Sequence, residues 1–137
     1  MESKSKNIFG IVLICLTFFC NSCREKVILT VSPNKYVFEL GSSQYYIDKI
    51  EILEDGYKIR YKVICNNRTG KSKINLLNLP KQYTSNGNFD ILDSNNSEFE
   101  VNLYAVNIEM KDSIYFTFKF PSKGNTSFEV SPFTLSP

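Results

Sequence analysis

Chemistry in a short chain is bounded by the side chains it owns. These 137 residues contain no histidine, which removes Ser-His-Asp and Cys-His arrangements and the commonest zinc ligand. Cys65 is a nucleophile by type, but a reactive thiol needs a nearby base or positive field. Its place at the end of an alternating run points instead to a buried, inert thiol. Among carboxylates, Glu98 and Glu100 share a strand face and Asp90 and Asp93 flank a loop. Pairs separated by about 5–10 Å run glycoside hydrolysis, yet solvated strand faces are the ordinary home of such residues. Asp93-Ser-Asn-Asn-Ser-Glu98 offers oxygen ligands for calcium. It lacks the EF-hand glycine, and the place of the distal glutamate is taken by Tyr104, so a plain polar loop is expected. The 6 glycines are scattered through turns with no phosphate-binding loop among them. The expectation is a protein with no catalytic residues, no metal and no cofactor; a small carboxylate-dependent hydrolase is the alternative.

Tyrosines are the remaining functional signal. Tyr45, Tyr46, Tyr83, Tyr104 and Tyr115 cannot all be deep in a core of this size. Exposed aromatics stack on sugars or anchor protein partners. Tyr45, Tyr46, Tyr83 and Tyr104 are therefore the candidate partner-binding aromatics. The competing reading leaves most of them half-buried with the hydroxyl in water.

The elements that position these residues read as strands. Tyr57-Lys-Ile59-Arg-Tyr61-Lys-Val63-Ile-Cys65 alternates, which places Tyr57, Ile59, Tyr61, Val63 and Cys65 on one face. Before it, Tyr46, Asp48, Ile50 and Ile52 lead to Asp55-Gly56, a strong hairpin signal because glycine readily takes positive φ. Residues 45–65 are thus predicted to form a β-hairpin. Val27–Val31 and Tyr36–Leu40 are short strand-like runs around Ser32-Pro33-Asn34. Ile74–Leu79 is a predicted strand stopped by Pro80, and Ser85–Asn88 reads as a turn before Phe89–Leu92. Phe99–Ala105 and Ile114–Phe120 alternate again, with Phe116, Phe118 and Phe120 facing one core. A last strand runs from Phe128 to Val130, with a continuation towards Leu135. No segment shows a useful helical period. Turn signals every 8–12 residues predict an all-β, antiparallel immunoglobulin-like β-sandwich of about 7–9 strands.

The first 23 residues have a different character. Lys4 and Lys6 precede an apolar run from Ile8 to Cys20, followed by Asn21, Ser22 and Cys23. That run is too short for a permanent span, which needs roughly 20 residues, and has the layout of a removable secretory signal. The stretch resembles a bacterial lipoprotein signal, in which a dedicated peptidase cuts before a cysteine that carries diacylglycerol. The resemblance implies cleavage between Ser22 and Cys23, lipidation of Cys23, Sec export and an anchor in the bacterial envelope, at the outer membrane. Two or more acyl chains hold a protein stably where one is marginal. Ordinary signal cleavage at the same bond is the alternative, and it leaves a Cys23–Cys65 disulfide open. The domain layout that follows is 1–22 signal, 23–26 lipidated cysteine and tether, and 27–137 a single domain. That layout is similar to small immunoglobulin-like domains of bacterial lipoproteins. Without residues 1–22 the chain keeps 14 basic and 13 acidic residues (Lys4, Lys6 and Glu2 being lost), giving no footprint for nucleic acid. The expected role is a non-catalytic binding or structural module at the membrane for an envelope protein or glycan. An inhibitor or immunity-type secreted protein is a further alternative.

Overall fold

Alternation of apolar and polar residues is what builds the sheets. The computed structural model describes residues 27–87, 99–120 and 126–132. Nine strands lie within them: β1 (Leu29–Ser32), β2 (Val37–Leu40), β3 (Tyr45–Glu54), β4 (Lys58–Cys65), β5 (Lys73–Asn75), β6 (Tyr83–Gly87), β7 (Phe99–Asn107), β8 (Ser113–Phe120) and β9 (Phe128–Val130). The only helical element among the described residues is a 3-10 turn at Pro33–Lys35, between β1 and β2. One sheet has the order β5-β2-β1-β9 and the other β6-β4-β3-β7-β8, with every pairing antiparallel. The two sheets face each other as an antiparallel β-sandwich.

The strand β7 shows the logic most clearly. Phe99, Val101, Leu103 and Ala105 are buried, while Glu100, Asn102, Tyr104 and Val106 between them are half-buried on the opposite face. From β8, Phe116 and Phe120 are buried and Phe118 packs against the same cluster, as the alternation predicts. The other sheet contributes Leu29, Val31, Phe38, Leu40, Ile74 and Val130. A buried side chain of Val, Leu, Ile or Phe is worth about 1.5–3 kcal/mol relative to exposure, so this cluster is the main source of stability.

The 45–65 hairpin forms with the expected turn. Asp55 and Gly56 both have positive φ (58° and 79°), the pattern of a type I′ turn, whose twist matches that of the flanking strands. Its faces differ from the simple alternation. Ile52 pairs with Tyr61, but Leu53 pairs with Ile59, so Arg60 is an extra residue, a β-bulge. One extra residue reverses which side each later side chain faces. Tyr61 and Val63 point inward and Cys65 packs at the core margin, whereas Ile59 and Tyr57 are exposed, Tyr57 to 76%. The Arg60 guanidinium is bound to the Glu54 carboxylate beside it. A second irregularity on β3, between Ile47 and Lys49 in the pairing with β7, carries Asp48 out of the ladder.

Two further expectations are corrected. Residues 83–87 form a strand, not a turn, because β4 supplies a complete antiparallel partner from Tyr61 to Cys65. Gly87 is needed there: its φ is 108°, and a Cβ would meet the Tyr61 Cα at 2.9 Å. The strand predicted at 74–79 is shortened to Lys73–Asn75, since the chain turns back on Asn75: Leu77 N–H donates to Asn75 Oδ1 at 2.9 Å and Asn78 N–H to the Asn75 carbonyl at 3.1 Å. The predicted segments 89–92 and 93–98, the 121–125 turn, the extension to Leu135 and the whole N-terminal signal with Cys23 lie outside the described residues.

Candidate functional site

Three of the four candidate aromatics are buried. Tyr45, Tyr46 and Tyr83 lie beneath the surface, and the hydroxyls of Tyr45 and Tyr83 are committed to the fold. Tyr83 Oη donates to the Ile47 carbonyl at 2.6 Å and accepts the Lys71 N–H at 2.8 Å. Burial pushes its ionisation well above the ordinary phenol range. Tyr45 Oη donates to both oxygens of Asp112, at 2.7 and 2.9 Å. Tyr46 covers Gly70, where a Cβ would meet the Tyr83 hydroxyl at 2.7 Å. A tyrosine can bury its ring when its hydroxyl finds a partner, and these ties take up side chains that exposure would have offered to a ligand.

Tyr104 is different. It stands on the outer face of the five-stranded sheet, where the register lines up Thr84, Ile64, Lys49, Tyr104 and Tyr115 across five strands. The next row is Asn86, Lys62, Glu51, Asn102 and Thr117. The Tyr104 and Tyr115 rings are tilted with centroids 4.9 Å apart, and the Lys49 ammonium sits 4.3 Å from the Tyr104 centroid. Lys49 also reaches Glu51 at 3.9 Å, and Tyr115 Oη donates to Asn102 Oδ1 at 2.8 Å. Burial, reinforced by the Glu51 carboxylate, raises the Tyr104 hydroxyl above its usual pKa. Tyr104 therefore stays a neutral donor and acceptor at physiological pH.

Together these groups form a half-buried patch of ring edges, amide and ammonium, with the Glu51 carboxylate buried among them. Such a surface hydrogen-bonds sugar hydroxyls or peptide groups and offers aromatic area beside them. One ring face of Tyr104 is already occupied by Lys49, so contact falls on ring edges and on Tyr115. Lys49, Glu51, Asn102 and Tyr115 were not among the candidates picked from tyrosine content. The readable signal was that Tyr104 and Tyr115 occupy the outward positions of their alternating strands, beside Leu103 and Phe116, which point inward.

The other chemistry-bearing residues do not join this surface. Cys65 Sγ donates to the Asn67 carbonyl at 2.6 Å, and burial raises its pKa, which lowers its thiolate fraction at neutral pH. The Glu100 carboxylate lies over the Asp55-Gly56 turn, its Oε2 3.3 Å from where a Gly56 Cβ would stand. Glu98, Asp90, Asp93 and the Asp93–Glu98 loop fall outside the described residues. Among the described residues no group of three or more metal-ligating side chains converges, and no helix is long and apolar enough to cross a membrane. No family model, curated protein or solved structure matches the chain.

Proposed function

We propose that this chain is a lipid-anchored protein of the bacterial envelope whose sandwich acts as a non-catalytic binding module for an envelope protein or glycan. The observation that carries the reading is where the folded core begins. Val27 is buried to 1% exposure, only four residues after Cys23 in a segment that resembles a lipoprotein signal. A cysteine so placed tethers the domain directly to a membrane with almost no linker. The Lys49–Tyr104–Tyr115 surface on the outer sheet face supports binding as the role, since it sets two aromatic rings beside hydrogen-bonding groups.

Two measurements test it. Metabolic palmitate labels the wild type and not Cys23→Ala; equal labelling of both refutes the anchor. Pull-down from detergent-solubilised envelope retains a partner that Tyr115→Ala loses, while the variant keeps its melting temperature. Partner recovery unaltered by Tyr115→Ala together with Asn102→Ala removes this surface from the binding role.

A further inference from the structure

The sandwich has two ends, and the chain leaves for Cys23 from only one of them. Leu29 pairs with Leu40 and with Val130, and Tyr45 with Asn107, so Val27 emerges beside the 41–44 and 108–112 connections. Hydrogen bonds join these segments: Gly41 N–H donates to the Ile28 carbonyl and Ile108 N–H to the Gln44 carbonyl, both at 2.8 Å. On this rim three large apolar side chains face solvent, Ile28 at 39%, Ile108 at 51% and Met110 at 52%. The turn that carries two of them is fixed. Met110 has φ 61°, its N–H donates to the Asn107 carbonyl at 2.8 Å, and Glu109 N–H donates to Asn107 Oδ1 at 2.9 Å. The Lys111 ammonium meets the Glu109 carboxylate at 2.8 Å, so the tip presents apolar groups with its flanking charges paired.

We propose that Ile28, Ile108 and Met110 rest on the lipid bilayer and hold the sandwich upright on it. The proposal rests on the reading of Cys23 as the lipid-bearing residue. Four residues of chain span at most about 14 Å even when fully extended, so this rim cannot stray far from the headgroups. A tethered surface meets the membrane as an intramolecular event at high effective concentration, which lets a small apolar patch engage where it would not bind alone. The ten residues of β3 rise about 33 Å at ~3.3 Å each. Upright seating therefore carries the Asp55-Gly56 turn and Tyr57 away from the lipid, and leaves the Tyr104–Tyr115 face open sideways.

The chain contains no tryptophan, so a single introduced one reports by itself. Met110→Trp and Tyr57→Trp are prepared in the full lipidated chain and reconstituted in phosphatidylcholine vesicles with ordinary or brominated acyl chains. Brominated chains should quench Met110→Trp about twofold, because an apolar face seated ~5–10 Å into the headgroup boundary lies within their reach. Tyr57→Trp should be unchanged. Ile108→Trp repeats the reading from the neighbouring side chain if the Met110 turn rejects the larger ring. Equal quenching at both ends, or none at either, in a sample whose intact mass includes acyl chains overturns the bilayer contact and leaves the anchor standing. A mass without acyl chains overturns the anchor, and this contact with it.

Discussion

The end of the sandwich at Val27 and the opposite end are held together by different chemistry. Near Val27, tyrosine hydroxyls tie strands to loops: Tyr45 to Asp112, and Tyr83 to Ile47 and Lys71. At the far end rings pack on rings. Tyr36 stacks on Phe120 at 6.3 Å, Phe38 tilts against Phe118 and Phe120 at 6.1 and 6.2 Å, and Phe118 meets Phe128 edge-on at 5.7 Å. Ring contacts keep much of their energy across offset and edge geometries, whereas a hydrogen bond weakens steeply when its angle departs from linear. At the hydroxyl-tied end, loop position therefore depends on hydrogen-bond geometry. That is the end at which Val27 lies.

The sharpest test of the comparison is to remove one ring from the packed half. Phe38→Ala should cost about 3–5 kcal/mol, a large share of a total near 5–15 kcal/mol, and denaturant unfolding will read it. Phe118→Ala should likewise melt well below Thr117→Ala, because Phe118 packs on the core and Thr117 faces solvent. Equal melting temperatures would show that the rings do not carry that end.

At the tied end the expected losses are smaller. Gly70→Ala puts a methyl against Tyr46 and the Tyr83 hydroxyl and should cost about 1–3 kcal/mol through overpacking. Tyr83→Phe leaves the Ile47 carbonyl and Lys71 N–H short of a partner, worth about 1–3 kcal/mol. It should also change the response to alkali. The folded hydroxyl ionises above its unfolded value, so its contribution is whole below about pH 10 and is lost as pH rises beyond that. Wild type should lose stability above that pH more steeply than Tyr83→Phe; parallel curves would mean the hydroxyl is not protected by the fold. The smallest effect belongs to Tyr57→Ser, within about 0.5 kcal/mol as for exposed residues in general. A larger loss would mean that the turn leans on something not visible in its exposure.

The regular parts of the fold were legible because alternation and turn chemistry agree there. Asp55-Gly56 between two apolar-polar runs specified the hairpin, and Phe99–Ala105 and Ile114–Phe120 declared which face was core. The bulges at Arg60 and Asp48 were not legible, since an added residue leaves the composition of a run unchanged while reversing its sides. Ile59 moved outward for that reason alone. The strand at 83–87 was hidden because Thr84, Ser85 and Asn86 are turn-prone by type, and only the long-range partner in β4 makes them extended. Tyrosine content misdirected the candidate site in a similar way. A ring with a hydroxyl suits both a surface and an interior, and whether Ile47, Lys71 or Asp112 waits to bond it depends on contacts distant in sequence.

The strand β6 closes one margin of the five-stranded sheet with Thr84, Ser85, Asn86 and Gly87, all four exposed. Sheet margins invite neighbouring chains to add their own strands, and a margin lacking apolar side chains gives such an addition little to bury. A margin of this kind resists edge-to-edge pairing between copies of the chain, which in strand-rich folds is the route to fibres.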